Sequence, residues 1–145
     1  MEATLYFDGG VRGGLCAYGW ILKDSSDETR IIACGNKTCG KGTSNISEYR
    51  ALIAGLFGGI DEGVDIIHIF GDSQLVVRQI NGTFRVKKEE LRKHRDKALE
   101  LLASFDYYTI KWIPRKENQE ADTLVNEVFD KRNGKCKKKP RRNRN

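Results

Sequence analysis

The sequence predicts an α/β fold: a mixed five-stranded sheet, three antiparallel strands followed by parallel ones, flanked by helices. Three observations predict it. The chain opens with three strand-like runs joined by short polar or glycine-rich turns, which make antiparallel neighbours. The apolar period then changes to three and four at residue 46, and from there strands alternate with helices to residue 130.

The first strand is "ATLYFD" (3–8), followed by a turn with Gly9, Gly10, Gly13 and Gly14. "LCAYGWILKD" (15–24) and "TRIIACGNK" (29–37) complete a meander. Over 46–62, Ile46, Tyr49, Leu52, Ile53, Leu56, Phe57 and Ile60 form one amphipathic stripe, so this segment is a helix with those residues inward. Gly55, Gly58 and Gly59 weaken it intrinsically, and close packing against a sheet explains them better than propensity. "DIIHIF" (65–70) lacks clean alternation and reads as a strand covered on both faces. A short helix follows at 73–81 and a longer one at 87–104, with Leu91, Ala98, Leu99, Leu101 and Leu102 toward the core. "YYTIKWI" (107–113) is the last strand and 119–130 the last helix.

A length of 145 residues suits one domain able to bury a core. No run approaches a membrane span, and "MEATLYFDGG" lacks the pattern of a secretion signal, so a cytoplasmic protein is expected. Cys16, Cys34, Cys39 and Cys136 are too dispersed for metal knuckles, and free thiols are the preferred reading. The formal charge of +6 is divided: residues 1–130 carry 17 Lys/Arg against 20 Asp/Glu, whereas 131–145 carry nine Lys/Arg and no acid. The expected organisation is therefore a folded domain at 1–130 and a basic, disordered tail at 131–145. The segment 85–97 holds seven Lys/Arg and one His against three acids, and presents charge from a regular surface.

Four acids sit near element ends. Asp8 closes the first strand, and Asp72 follows "DIIHIF" at a helix start, on the rim where α/β sheets place their chemistry. With Asn45 as N-cap, Glu48 falls at N3 and completes a capping box; from the same turn it can also point toward Asp8 and Asp72. Asn118 can cap the last helix, leaving Asp122 one turn inside, beside Val125 and Phe129. Taken singly, each acid is more readily structural than catalytic, Asp72 as an N-cap and Asp8 as a turn-former at "DGG", although Asp122, an acid beside an apolar stripe, is the hardest of the four to explain that way. Four acids meeting on one rim would repel one another unless a cation binds, and hard divalent ions favour carboxylate oxygen. No His/Cys cluster suggests zinc: His68 is expected packed in the core strand and His94 on a basic surface. No phosphate loop or dinucleotide fingerprint is present.

The motifs "LYFDGG" (5–10), "TSNISEYRAL" (43–52), "IFGDSQLVV" (69–77) and "IKWIPRKENQEADTL" (110–124) together resemble type 1 ribonuclease H. In family order they cover almost all of 3–130. The resemblance implies a ribonuclease H-like fold and an endonuclease that hydrolyses the RNA strand of RNA/DNA hybrids by two-metal-ion catalysis. It implies two Mg²⁺ ions per site, with Mn²⁺ able to substitute, and 5′-phosphate and 3′-hydroxyl product ends. Asp8, Glu48, Asp72 and Asp122 would be the catalytic and metal-binding quartet. Asn45 and Gln74 would approach RNA 2′-hydroxyls and Thr43 a DNA phosphate, with Gly9 and Gly10 also on the substrate side. Two departures place the chain in the archaeal-like and plant-like branch. "IPRKENQ" has no loop histidine, leaving Arg115 and Lys116 as phosphate contacts, and "NGTFRVKKEELRKHRDK" has no room for the basic protrusion. Phe84, Arg85, Lys87 and Lys88 remain as a smaller surface, which the basic tail would supplement on the nucleic acid backbone. A monomer acting without a membrane is expected. The residues leave open another nuclease of the same fold, one acting on double-stranded RNA, a noncatalytic hybrid-binding module, or a tail that anchors the chain to a larger complex.

Overall fold

In the computed structural model, which describes residues 1–130, the opening meander consists of β1 (Glu2–Arg12), β2 (Leu15–Asp24) and β3 (Asp27–Lys41). β1 does not stop at Asp8. Gly9 and Gly10 remain extended, and the reversal is made by Gly13 and Gly14 alone, at φ 57° and 80° between the paired residues Arg12 and Leu15. Such a two-residue turn needs positive φ at both positions, which is why the pair is glycine. β3 also runs further than expected, because it stays paired with β2 through β-bulges as far as Lys41.

The remaining elements are α1 (Ser44–Asp61), β4 (Ile66–Gly71), α2 (Gln74–Ile80), α3 (Glu89–Leu102), β5 (Tyr107–Trp112), a 3₁₀ turn (Arg115–Glu117) and α4 (Gln119–Phe129). The sheet order is β3-β2-β1-β4-β5, with β4 parallel to β1 and β5 parallel to β4. The mixed five-stranded α/β fold is thus as expected.

α1 packs on the sheet more closely than side chains at every position would permit. A Cβ on Gly55 would lie 2.6 Å from Leu5 Cδ1, and one on Gly58 would lie 2.4 Å from the Trp20 ring. The core beneath it includes Leu5, Phe7, Leu22, Leu52, Leu56 and Ile67, all fully buried. The inward face differs from the expected stripe. Ser47, Ala51, Gly55 and Gly59 turn inward with Tyr49, Leu52 and Leu56, whereas Phe57 and Ile60 are exposed. Small residues let the helix sink, and that rotates two large apolar side chains out. α4 lies on the opposite face, where a Cβ on Gly19 would be 2.8 Å from Leu124 Cβ.

β4 is not covered on both faces. Its burial alternates residue by residue, and Tyr6 stacks on Phe70 (centroids 5.5 Å apart) on the outer side. His68, expected in the core, is on that side too: its ring bonds Thr109 Oγ1 at 2.9 Å and Glu2 at 2.8 Å. His94 is half-buried, with Nδ1 2.8 Å from the Glu90 carbonyl. Leu99, expected inward, is 36% exposed because Ala98, Leu101 and Leu102 already fill the α3 core face. Cys16 and Cys39 carry free thiols as expected, but Cys34 is disulfide-bonded, a pairing that spacing alone could not select. No described helix is long and apolar enough to cross a membrane. The expectations for residues 131–145 lie outside the described residues.

Candidate active site

Strand register builds the site first. β1 and β4 are parallel neighbours with Phe7 opposite Gly71, so the next residue on each chain, Asp8 and Asp72, is an acid at the same level. Asp8 is 5% exposed. The side chain of Asp72 is not spent on capping: Ser73 is the N-cap of α2, its Oγ accepting from Val76 N at 3.3 Å.

Glu48 arrives from α1, and its position depends on Gly9. A Cβ there would stand 2.5 Å from the Ser47 carbonyl carbon, so only glycine lets the helix backbone rest on β1. Gly9 N then donates to Glu48 Oε1 at 2.7 Å. The expected capping box does not form. Thr43, not Asn45, is the N-cap of α1, its Oγ1 accepting from Ile46 N at 3.3 Å, and Glu48 therefore lies beyond the reach of a box. Without that structural role, a glutamate 5% exposed keeps its Oε2 buried with no hydrogen-bond partner among the described residues. One carboxylate oxygen from each of Asp8, Glu48 and Asp72 lies within 4.8 Å of the others.

Asp122 stands beside this trio on the first turn of α4. Asn126 Nδ2 donates to it at 3.4 Å, and the Arg115 guanidinium approaches its other oxygen at 3.4 Å. Asn118 is N-terminal to α4 as expected but makes no side-chain cap. Its amide Nδ2 donates instead to the Phe7 carbonyl at 2.8 Å and to Asp72 Oδ2 at 3.0 Å, tying the β1 end to the start of α2. A cap bond ordinarily contributes about 1 kcal/mol. Here Asn118 Oδ1, the atom a cap would use, is buried with no hydrogen-bond partner among the described residues, and only Nδ2 is engaged. An Asn four residues before an acid was visible in the sequence, but nothing local distinguished a cap from a tether.

The electrostatics follow from burial of like charges. Burial, and then the Asp72 charge, push the Asp8 carboxyl up to about 7. Burial, and then Asp8 and Asp72, hold Glu48 well above the ordinary carboxylate range. Asp72 is also raised, by burial, with the Asn118 bond opposing the shift. Such a cluster resists full ionisation by itself. An all-oxygen donor set with an orphaned, inward carboxylate oxygen fits a hard divalent cation, which would supply the missing partner and cancel the repulsion.

Thr43 is exposed, Asn45 is half-buried on the first turn of α1, and Gln74 is exposed on the first turn of α2. Arg85, Lys87 and Lys88 are exposed between α2 and α3. Arg85 shares a groove of about 640 Å³ with Phe84, Arg92 and Arg95; the two latter arginines were not singled out from the sequence. Lys116 is exposed beside Asn118. Gly9 and Gly10 both lie under helices: a Cβ on Gly10 would come within 3.3 Å of Val125.

A reverse transcriptase-like family model matches residues 6–128. The ribonuclease HI of Halobacterium salinarum is 45% identical over 127 residues, 86% of this chain. The chain spans 63% of that relative's length and 36% of a matching bifunctional protein of Mycobacterium tuberculosis. The crystal structure of RNase H1 from Halobacterium salinarum superposes with a TM-score of 0.86 at 41% identity, over 90% of this chain and 99% of that one. LC11-RNase H1, solved in complex with an RNA/DNA hybrid, gives 0.81 at 29% identity over 89% and 97%.

Proposed function

The chain belongs to the type 1 ribonuclease H family, within the reverse transcriptase-like group, and we propose that it is an endonuclease hydrolysing the RNA strand of RNA/DNA hybrids. The observation that carries this reading is the cluster of buried Asp8 and Glu48 with half-buried Asp72, with Glu48 Oε2 left without a partner among the described residues. The hybrid bound by LC11-RNase H1, a protein of the same fold, supports that choice of substrate.

Asp8, Glu48, Asp72 and Asp122 would hold divalent metal, Mg²⁺ or Mn²⁺. When bound, a pair of such ions supplies a water of lowered pKa and stabilises charge on the scissile phosphate and the departing oxygen. The chain's own residues set the geometry. Gly9 N fixes one Glu48 oxygen and aims the other inward. The Asn118 amide fixes Asp72 against β1, so that Asp8 and Asp72 present oxygens to one point. Arg115 partly neutralises Asp122 and has further donors free to meet a phosphate.

Strand choice would rest on 2′-hydroxyls met by Asn45 and Gln74, with Thr43 on a DNA phosphate. Arg85, Lys87, Lys88, Arg92 and Arg95 would carry backbone contacts without base preference, aided by the basic residues of 131–145. Products would end in 5′-phosphate and 3′-hydroxyl. The test is an internally labelled hybrid with blocked ends, compared with double-stranded RNA and single strands, with and without Mg²⁺. Cleavage confined to the RNA of the hybrid and dependent on metal is expected. Activity requiring a free end, or stronger on double-stranded RNA, would overturn the assignment.

A further inference from the structure

α1 carries more apolar surface than the sheet can use. Tyr49, Leu52 and Leu56 face the core, while a second apolar row, Ile53, Phe57 and Ile60, runs along the outer side. A surface helix of a self-sufficient domain presents polar residues there. Phe57 is 44% exposed and Ile60 36%. Ile53 and Phe57 of this row line a groove of about 420 Å³ between α1 and α3, with Tyr18 of β2 also in its wall.

The rim has one sign. Arg50, Lys93 and Lys97 line the groove together with His94; Lys97 also lies 3.6 Å from Glu100, but no acid lines the groove itself among the described residues. Lys97 Nζ lies 5.6 Å from the Phe57 ring centroid, joining the cationic rim to the aromatic floor. An apolar slot bordered by cations is complementary to a peptide that presents a large apolar side chain among carboxylates. The basic terminal segment 131–145 has the wrong charge to fill it.

The same geometry argues against nucleic acid as the occupant. Arg50 is two residues beyond Glu48, about 200° around the helix, so the groove opens on the side of α1 away from the carboxylates. A backbone seated there would meet apolar carbon rather than a continued track of donors.

We propose that the α1–α3 groove docks an acidic, aromatic-bearing peptide segment of a partner protein, separately from the hybrid. The experiment uses the full chain and a fluorescein-labelled decapeptide of Asp and Glu with one central Phe, followed by anisotropy. Saturable binding is expected, weakened about tenfold in Phe57→Ser and in Lys97→Glu, and also when the peptide Phe is replaced by Ser. Both variants should keep wild-type melting temperature and hybrid cleavage, since both side chains are exposed and remote from the site. The proposal is overturned if no binding occurs, if the two variants bind like wild type, or if an uncleaved hybrid displaces the peptide stoichiometrically. It is equally overturned if light scattering shows that Phe57→Ser abolishes a dimer of the wild-type chain, which would make a second copy the occupant.

Discussion

Replacing Asp8 with Asn should stabilise the metal-free protein while abolishing cleavage. Folding carries Asp8 from an ordinary carboxyl at 3.8 to about 7, so the folded state binds its proton more tightly than the unfolded chain. That contribution is fully present below the ordinary value and is lost as pH rises from about 4 through 7. Above that window the wild type must ionise a buried acid against the Asp72 and Asp122 charges, with only the Glu48 hydrogen bond favouring the charged form. The difference of about 3 units at ~1.4 kcal/mol each sets a ceiling of about 4 kcal/mol. Asn keeps the shape without the charge, and should recover about 2–4 kcal/mol at pH 8 in chelator, a rise in Tm on the order of 10 °C. At pH 4 the two proteins should melt together. Added Mg²⁺ should raise the wild type more than the variant, because binding to the folded state alone is stabilising. Urea and thermal melts at both pH values, with and without Mg²⁺, measure this directly. An Asp8→Asn protein no more stable than wild type at pH 8 in chelator would refute the reasoning about buried like charges.

Asn118→Ala should lower stability by about 1–3 kcal/mol, because it strands the Phe7 carbonyl and one Asp72 oxygen. It should also weaken Mg²⁺ binding to the protein alone about tenfold by calorimetry; a loss of stability with unchanged metal affinity would make Asn118 structural only. Gly55→Ala, whose new carbon meets Leu5, should cost about 1–3 kcal/mol by overpacking in urea melts, and no change would mean that α1 can lift freely from the sheet. The double variant Lys87→Ala, Lys88→Ala should raise KM for the hybrid with kcat kept, and should reduce the steepness of KM against salt by about two phosphate contacts. Deleting 131–145 should act in the same direction, and unchanged values would remove that segment from substrate binding.

Element order and pairing could be read from the sequence because turn chemistry and apolar period are local signals. Gly13 and Gly14 announce a hairpin, and the shift to a period of three and four at Ile46 announces α1. What the sequence did not reveal depended on distant contacts. β1 continues past Asp8 because β2 pairs with it beyond that point. α1 turns Phe57 outward because Gly55 and Gly59 fit against the sheet, an outcome that no periodicity within the helix encodes. β4 reads as covered on both faces, yet its burial alternates, leaving His68 and Phe70 only half-buried. In the candidate site, Asp8 and Asp72 were recognisable from strand ends, but their adjacency follows from parallel register. Glu48 and Asn118 had sound local explanations as capping residues; Glu48 loses its because Thr43, two residues before Asn45, is the N-cap, Asn118 makes no side-chain cap, and both bond instead to distant residues, Gly9, Phe7 and Asp72.

The central claim is that these clustered acids gather a divalent cation that completes them. Anomalous diffraction from crystals grown with Mn²⁺ and a hybrid measures it most directly. The account predicts a peak shared by Asp8 and Asp72, with Glu48 Oε2 turned onto bound metal or its water. A map with no peak between those two aspartates, or with Mn²⁺ only at surface acids, would contradict it.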